Sequence, residues 1–108
     1  MSTPHIRDFR TQRVHMIGIG GSSMSGLAEM LLKEGYQITG SDRAHSHAVE
    51  RLEALGVRVF IGHEPQNAAG AGVVVYSAAI HPDNPERAYA YAHGIPQIER
   101  AELLGQVM

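Results

Sequence analysis

The 108-residue sequence predicts a doubly wound α/β domain on a five-stranded parallel sheet. Three observations carry this expectation. Short apolar runs, Val14 to Ile19 foremost, lack the alternation of a half-exposed strand and suit strands buried on both faces. Between them lie segments whose apolar residues recur every three or four positions, as in helices packed by one face. Glycines and capping residues fall at the junctions between these segments.

The first strand is predicted over Val14 to Ile19, with His15 its one polar residue. Gly20-Gly21 forms a turn, and Met24, Leu27, Ala28, Leu31 and Leu32 then line one face of a helix that Gly35 ends in a left-handed conformation. Tyr36 to Gly40 reads as the second strand. Ser46 caps a helix burying Val49, Leu52 and Leu55, which Gly56 stops before a third strand, Val57 to Ile61. Gly62 to Gly72 reads as a loop or short irregular helix, and Val73 to Tyr76 as the fourth strand. Asn84-Pro85 caps and opens a helix reaching His93-Gly94. Ile95 to Ile98 contains Pro96 and so belongs at a sheet edge, and Glu99 to Val107 forms a last helix. Right-handed crossovers between such strands give a Rossmann-like sheet in the order 3-2-1-4-5. Residues 1–13 are expected to be an N-terminal arm and residues 14–108 the domain.

Composition narrows the partners. A formal charge of -2 without a basic stripe excludes nucleic acid. With no cysteine there is neither a disulfide framework nor a thiolate metal site. No apolar stretch has secretory or membrane-spanning length, so a soluble chain with no membrane partner is expected, compatible with the cytoplasm. Seven histidines include one close pair, His45 and His47, and no metal site is expected. His15 is read as hydrogen-bonded within its strand, away from any ligand.

The chemistry lies in the run Gly18-Ile19-Gly20-Gly21-Ser22-Ser23-Met24-Ser25-Gly26. A glycine turn opening a helix aims unpaired amides and the positive end of the helix dipole at an anion. The dinucleotide fingerprint is only partly met. Gly18 and Gly20 fit its first two positions, but Ser23 stands at the third and Gly21 is extra. Asp42, at the end of the second strand, can accept hydrogen bonds from ribose hydroxyls, and its coincidence with the glycine turn favours this over Ser41-Asp42 simply starting a loop. One of Ser22, Ser23 and Ser25 could serve only as a helix cap.

This glycine run, with Gly35 to Asp42, Gly62-His63-Glu64-Pro65-Gln66-Asn67, Tyr76-Ser77-Ala78-Ala79-Ile80, Asp83 to Glu86 and Arg100-Ala101-Glu102-Leu103-Leu104, resembles the Mur amino-acid ligases, in particular their alanine-adding branch. The likeness covers nearly the whole chain. Ser22-Ser23, where Ala-Gly is common, and Gln66, where Glu is usual, depart from the pattern without removing a phosphate-binding amide. The resemblance implies a first domain that holds a uridine diphosphate sugar, UDP-N-acetylmuramate, in place of NAD. It further implies that the amides of Gly20 to Met24, with Ser22, Ser23 and Ser25, surround the diphosphate. Asp42 and Ser41 would contact the uridine, His63 would lie beside the uracil, and Ser77, Ala78, Ala79 and Ile80 would line the crevice.

By the same resemblance the full-length enzyme forms an amide bond at the expense of ATP, with magnesium, in cytoplasmic peptidoglycan precursor synthesis. The sole lysine, Lys33, lies outside any Gly-Lys-Ser/Thr setting, so no P-loop is present. The chain is therefore expected to hold no catalytic residue, to need no cofactor of its own, and to bind substrate for chemistry performed by further domains. Two alternatives are a first domain of the sister ligase that recycles tripeptide, and a non-enzymatic NAD-binding regulatory module resting on Gly18, Gly20 and Asp42.

Overall fold

Gly18 adopts the left-handed region, φ +74°, and so ends the first strand at Ile17, two residues before the apolar run does. A computed structural model describes residues 4–107. Its elements are β1 (Arg13–Ile17), α1 (Ser22–Lys33), β2 (Gln37–Asp42), α2 (His47–Ala54), β3 (Arg58–Ile61), β4 (Val73–Tyr76), α3 (Pro85–Ala92), β5 (Gln97–Glu99) and α4 (Arg100–Val107). Single 3₁₀ turns cover Ile6–Phe9 and Pro65–Ala68.

The sheet is wholly parallel in the order β3-β2-β1-β4-β5, as the sequence predicts. The caps also stand as read. Ser46 Oγ accepts from the Val49 amide, and Asn84 Oδ1 accepts from the Glu86 amide beside Pro85. Strand β2 runs two residues further than Gly40, to Asp42, because the carbonyl of Ser41 receives both the Gly18 and Ile19 amides. Those bonds draw the glycine turn over the end of β2. Ile19 then lies against Gly40, where any Cβ would overlap it.

Alternation along the strands divides the interior. Val14 and Met16 of β1, Ile38 of β2, and Val73 and Val75 of β4 pack with Met24, Leu27, Ala28 and Leu31 of α1, Leu52 of α2 and Leu103 of α4. Ile17 and Val74 belong to a smaller cluster with Ala68 and Ala90, under α3. Arg13 and His15 share the parity of Ile17, and Thr39 and Ser41 are its equivalents on β2. The layer beneath α3 is thus partly polar, the layer beneath α1 apolar.

The 3₁₀ turn at residues 6–9 is a feature the sequence reading passed over as arm. Ile6 and Phe9 are buried in the main core. The Gln106 side chain accepts from the Ile6 amide at 2.8 Å and donates to the Pro4 carbonyl at 2.7 Å. It clasps the two ends of the described chain at the N-terminal edge of the strands.

Candidate functional site

The C-terminal ends of β1 and β2 and the β4–α3 loop enclose a cleft of about 740 Å³, within the range of small-molecule sites. Gly18, Gly20 and Gly21 form one wall, Asp42 to Ala44 and Ser46 a second, and Ala79 to His81 with Asp83 and Asn84 a third; His63 also lines it. Ligands of doubly wound sheets bind at this edge, where the crossovers from the two sides of β1 diverge.

The glycine turn spends some of its amides internally. The Gly20 amide donates to Asp42 Oδ2 at 2.8 Å, and the Gly21 amide donates to the Gly18 carbonyl. A Cβ on Gly20 would stand 2.7 Å from Asp42 Oδ2, so glycine is required for this approach. Gly21 caps α1 without a side chain, and the amides of Ser22, Ser23 and Met24 have no partner among the described residues. These three donors lie at the positive end of the helix dipole, next to Gly21 but not among the residues that line the cleft. The Met24 side chain itself lies in the core, and Ser25 Oγ donates to the Ser22 carbonyl.

Asp42 carries a second load. Its Oδ1 accepts from the Arg43 amide at 2.8 Å. A carboxylate offers about four lone-pair sites, so two protein bonds leave room for two hydroxyl donors. Ser41, by contrast, is fully buried, and its Oγ donates to Glu86 Oε1 at 2.7 Å, away from the cleft. Ala79 and Ile80 line the cleft, while Ser77 and Ala78, like Ser25 and Ser41, do not. The loop bearing them is tied down by Arg87, which donates to the Ile80 carbonyl and to Gln97, and covers the Tyr76 ring at 3.6 Å.

Two residues that stand in the resembling blocks but were given no role in the sequence lie beside the site. Arg100, at the start of α4, donates to Ser23 Oγ at 2.9 Å and sets a cation beside the unpaired amides. Glu86 is fully buried under α3, yet accepts from His15 Nε2 at 2.5 Å, from Ser41 and from His63 Nδ1 at 2.7 Å. Burial works to raise its pKa, but these hydrogen bonds outweigh it and hold the carboxyl below its ordinary 4.5. An imidazole in the middle of a buried strand needs such a partner, and that need is the one physical hint in the sequence of what Glu86 does. His15 is thus hydrogen-bonded in its strand as read, though its bonds lead toward the site.

A profile of the Mur ligase family, catalytic domain, matches residues 13–108. The chain belongs to the Mur ligase family. This Mur ligase chain is 52% identical over 99 residues to the UDP-N-acetylmuramate--L-alanine ligase of a Sulfurihydrogenibium species, covering 92% of its own length and 22% of the relative's. Its fold superposes on the UDP-N-acetylmuramate-alanine ligase of Thermotoga maritima with a TM-score of 0.85 and 27% identity, over 89% of this chain and 22% of that one. The UDP-N-acetylmuramate:L-alanyl-gamma-D-glutamyl-meso-diaminopimelate ligase of Neisseria meningitides gives 0.79 and 28%, over 88% and 30%. The chain therefore spans about a fifth of the length of the curated relatives it matches.

Proposed function

We propose that this Mur ligase domain binds UDP-N-acetylmuramate for a cytoplasmic, ATP- and magnesium-dependent ligase that adds L-alanine to it in peptidoglycan precursor synthesis. The observation that carries the reading is the pairing of Gly20 with Asp42 across the cleft floor. The turn leaves the amides of Ser22 to Met24 free for a diphosphate, while Asp42 retains lone pairs for ribose hydroxyls. Arg100 adds a positive charge on the diphosphate side, and His63 offers a ring at the cleft wall, a place for the uracil. The names of the similar proteins support the sugar nucleotide over NAD. So does Ser23, whose side chain turns to Arg100 where a dinucleotide site wants a small third residue.

The domain supplies binding and orientation, and the ATP-dependent step belongs to the rest of such an enzyme. On this reading the 108 residues alone show no alanine-dependent ATP turnover. Titration calorimetry of the chain with UDP-N-acetylmuramate, UDP and NAD tests the proposal. Binding of the first two in preference to NAD is expected, and preferential NAD binding would overturn it. The likeness to the Neisseria tripeptide-adding enzyme supports a second reading, a sister ligase using the same sugar nucleotide. The two readings share this cleft and differ in the amino component, which a turnover assay of the domain within its parent enzyme distinguishes.

A further inference from the structure

Glu86 sits at the centre of a hydrogen-bond cluster whose directions are fixed by its carboxylate, which can only accept. Arg13 Nη1 donates to Thr39 Oγ1 at 2.6 Å, and a guanidinium cannot accept. The Thr39 hydroxyl also lies 2.9 Å from His15 Nδ1. His15 carries a hydrogen on Nε2, which donates to Glu86 Oε1. Ser41 Oγ donates to the same oxygen. The other oxygen, Oε2, is left for His63 Nδ1.

We infer that Glu86 is a positioning residue for the cleft: by accepting the Nδ1 hydrogen of His63 it fixes that ring's orientation and the protonation of the nitrogen turned away from it. His63 lines the cleft, so Nε2 is the ring nitrogen available to a bound pyrimidine nucleotide. This inference rests on the proposed function only in the identity of that guest. Every group around Glu86 suits it as the acceptor: His15 from β1, Ser41 from β2 and His63 from the loop after β3, with Arg13 and Arg58 the charges of the same sheet face. No buried polar side-chain atom among the described residues is left without a partner, so the arrangement is complete before any ligand arrives.

Glu86→Gln makes the inference testable, because a carboxamide has one accepting and one donating end. His15 and Ser41 both need an acceptor, so the amide oxygen must turn to them and the NH2 to His63. His63 Nδ1, whose other hydrogen-bond neighbour is Ser41 Oγ at the longer 3.3 Å, is then expected to lose its hydrogen and accept, which moves the hydrogen to Nε2 and reverses the polarity of the atom facing the cleft. Nitrogen-detected imidazole spectra of the ligand-free chain, wild type and E86Q, read this directly. Nδ1 of His63 is expected to be protonated in the wild type and bare in E86Q, with His15 unchanged. UDP affinity is expected to fall about tenfold, the effect of one reversed hydrogen bond. In a His63→Ala background, E86Q should cost no further affinity.

A wild-type His63 lacking hydrogen on Nδ1 would overturn the inference, and this observation stands even where E86Q does not fold. So would an E86Q protein that keeps the wild-type pattern, or that loses the same affinity with His63 absent. Failure of the wild type to bind UDP would instead refute the proposed function, leaving the imidazole spectra to decide the role of Glu86.

Discussion

Asp42 holds the turn that faces it and, on the proposed reading, the ligand as well. Its two oxygens accept from the Gly20 and Arg43 amides, and Asn can offer only one accepting oxygen. Asp42→Asn is therefore expected to weaken UDP binding and also to lower stability by about 1–3 kcal/mol, the cost of an amide facing an amide. Denaturant unfolding beside titration separates the two effects; unchanged stability would show that one of the bonds is dispensable. Arg100 behaves differently, since its one described hydrogen bond is to an exposed serine. Arg100→Ala should leave the melting temperature near wild type while reducing UDP affinity about tenfold, and the loss should shrink in high salt as the charge is screened. A salt-independent loss would place Arg100 outside the diphosphate's reach.

At the scale of elements, the strands, helices and caps were legible because each is written locally. Ser46 and Asn84-Pro85 open helices, the run Val73 to Tyr76 is a strand, and Pro96 precedes the edge strand β5. The glycine turn and Asp42 were legible for the same reason, as residues with special backbone or hydrogen-bonding needs. What escaped is contact between distant segments. Glu86 reads in the sequence as an ordinary acid in a helix's first turn, and only the packing of α3 over β1 brings it to His15, 71 residues away. Arg100 reaches Ser23 across 77 residues in the same manner. The glycine turn also depends on its neighbour strand: a Cβ at Gly40 would stand 2.7 Å from Ile19 Cβ. Gly40→Ala is accordingly expected to destabilise the domain by about 1–3 kcal/mol and to displace the turn, seen as a lower melting temperature together with weaker UDP binding.

For the molecule as a whole, Glu86 links folding to acidity. Its carboxyl is held below 4.5 in the folded state, so the stability it contributes is fully present above the unfolded value and is lost as the pH falls through the folded one. Unfolding free energies measured downward from neutral pH should decline below about pH 4.5, more steeply for the wild type than for Glu86→Gln. An identical decline in both would remove Glu86 as the cause. The main core extends beyond the sheet to the first 3₁₀ turn. Phe9→Ala should cost about 3 kcal/mol, measured by denaturant unfolding, and a change near zero would mean that the turn docks only loosely. That turn meets α4 where the Gln106 side chain holds the Pro4 carbonyl and the Ile6 amide, at the edge of the sheet remote from the cleft. Because Gln106 touches Pro4, a short peptide could join the two ends of the described chain into a ring without crossing the cleft. Such a circular permutant, reopened at an exposed surface loop, would carry a tether or a fluorophore on any chosen side while the cleft stays clear.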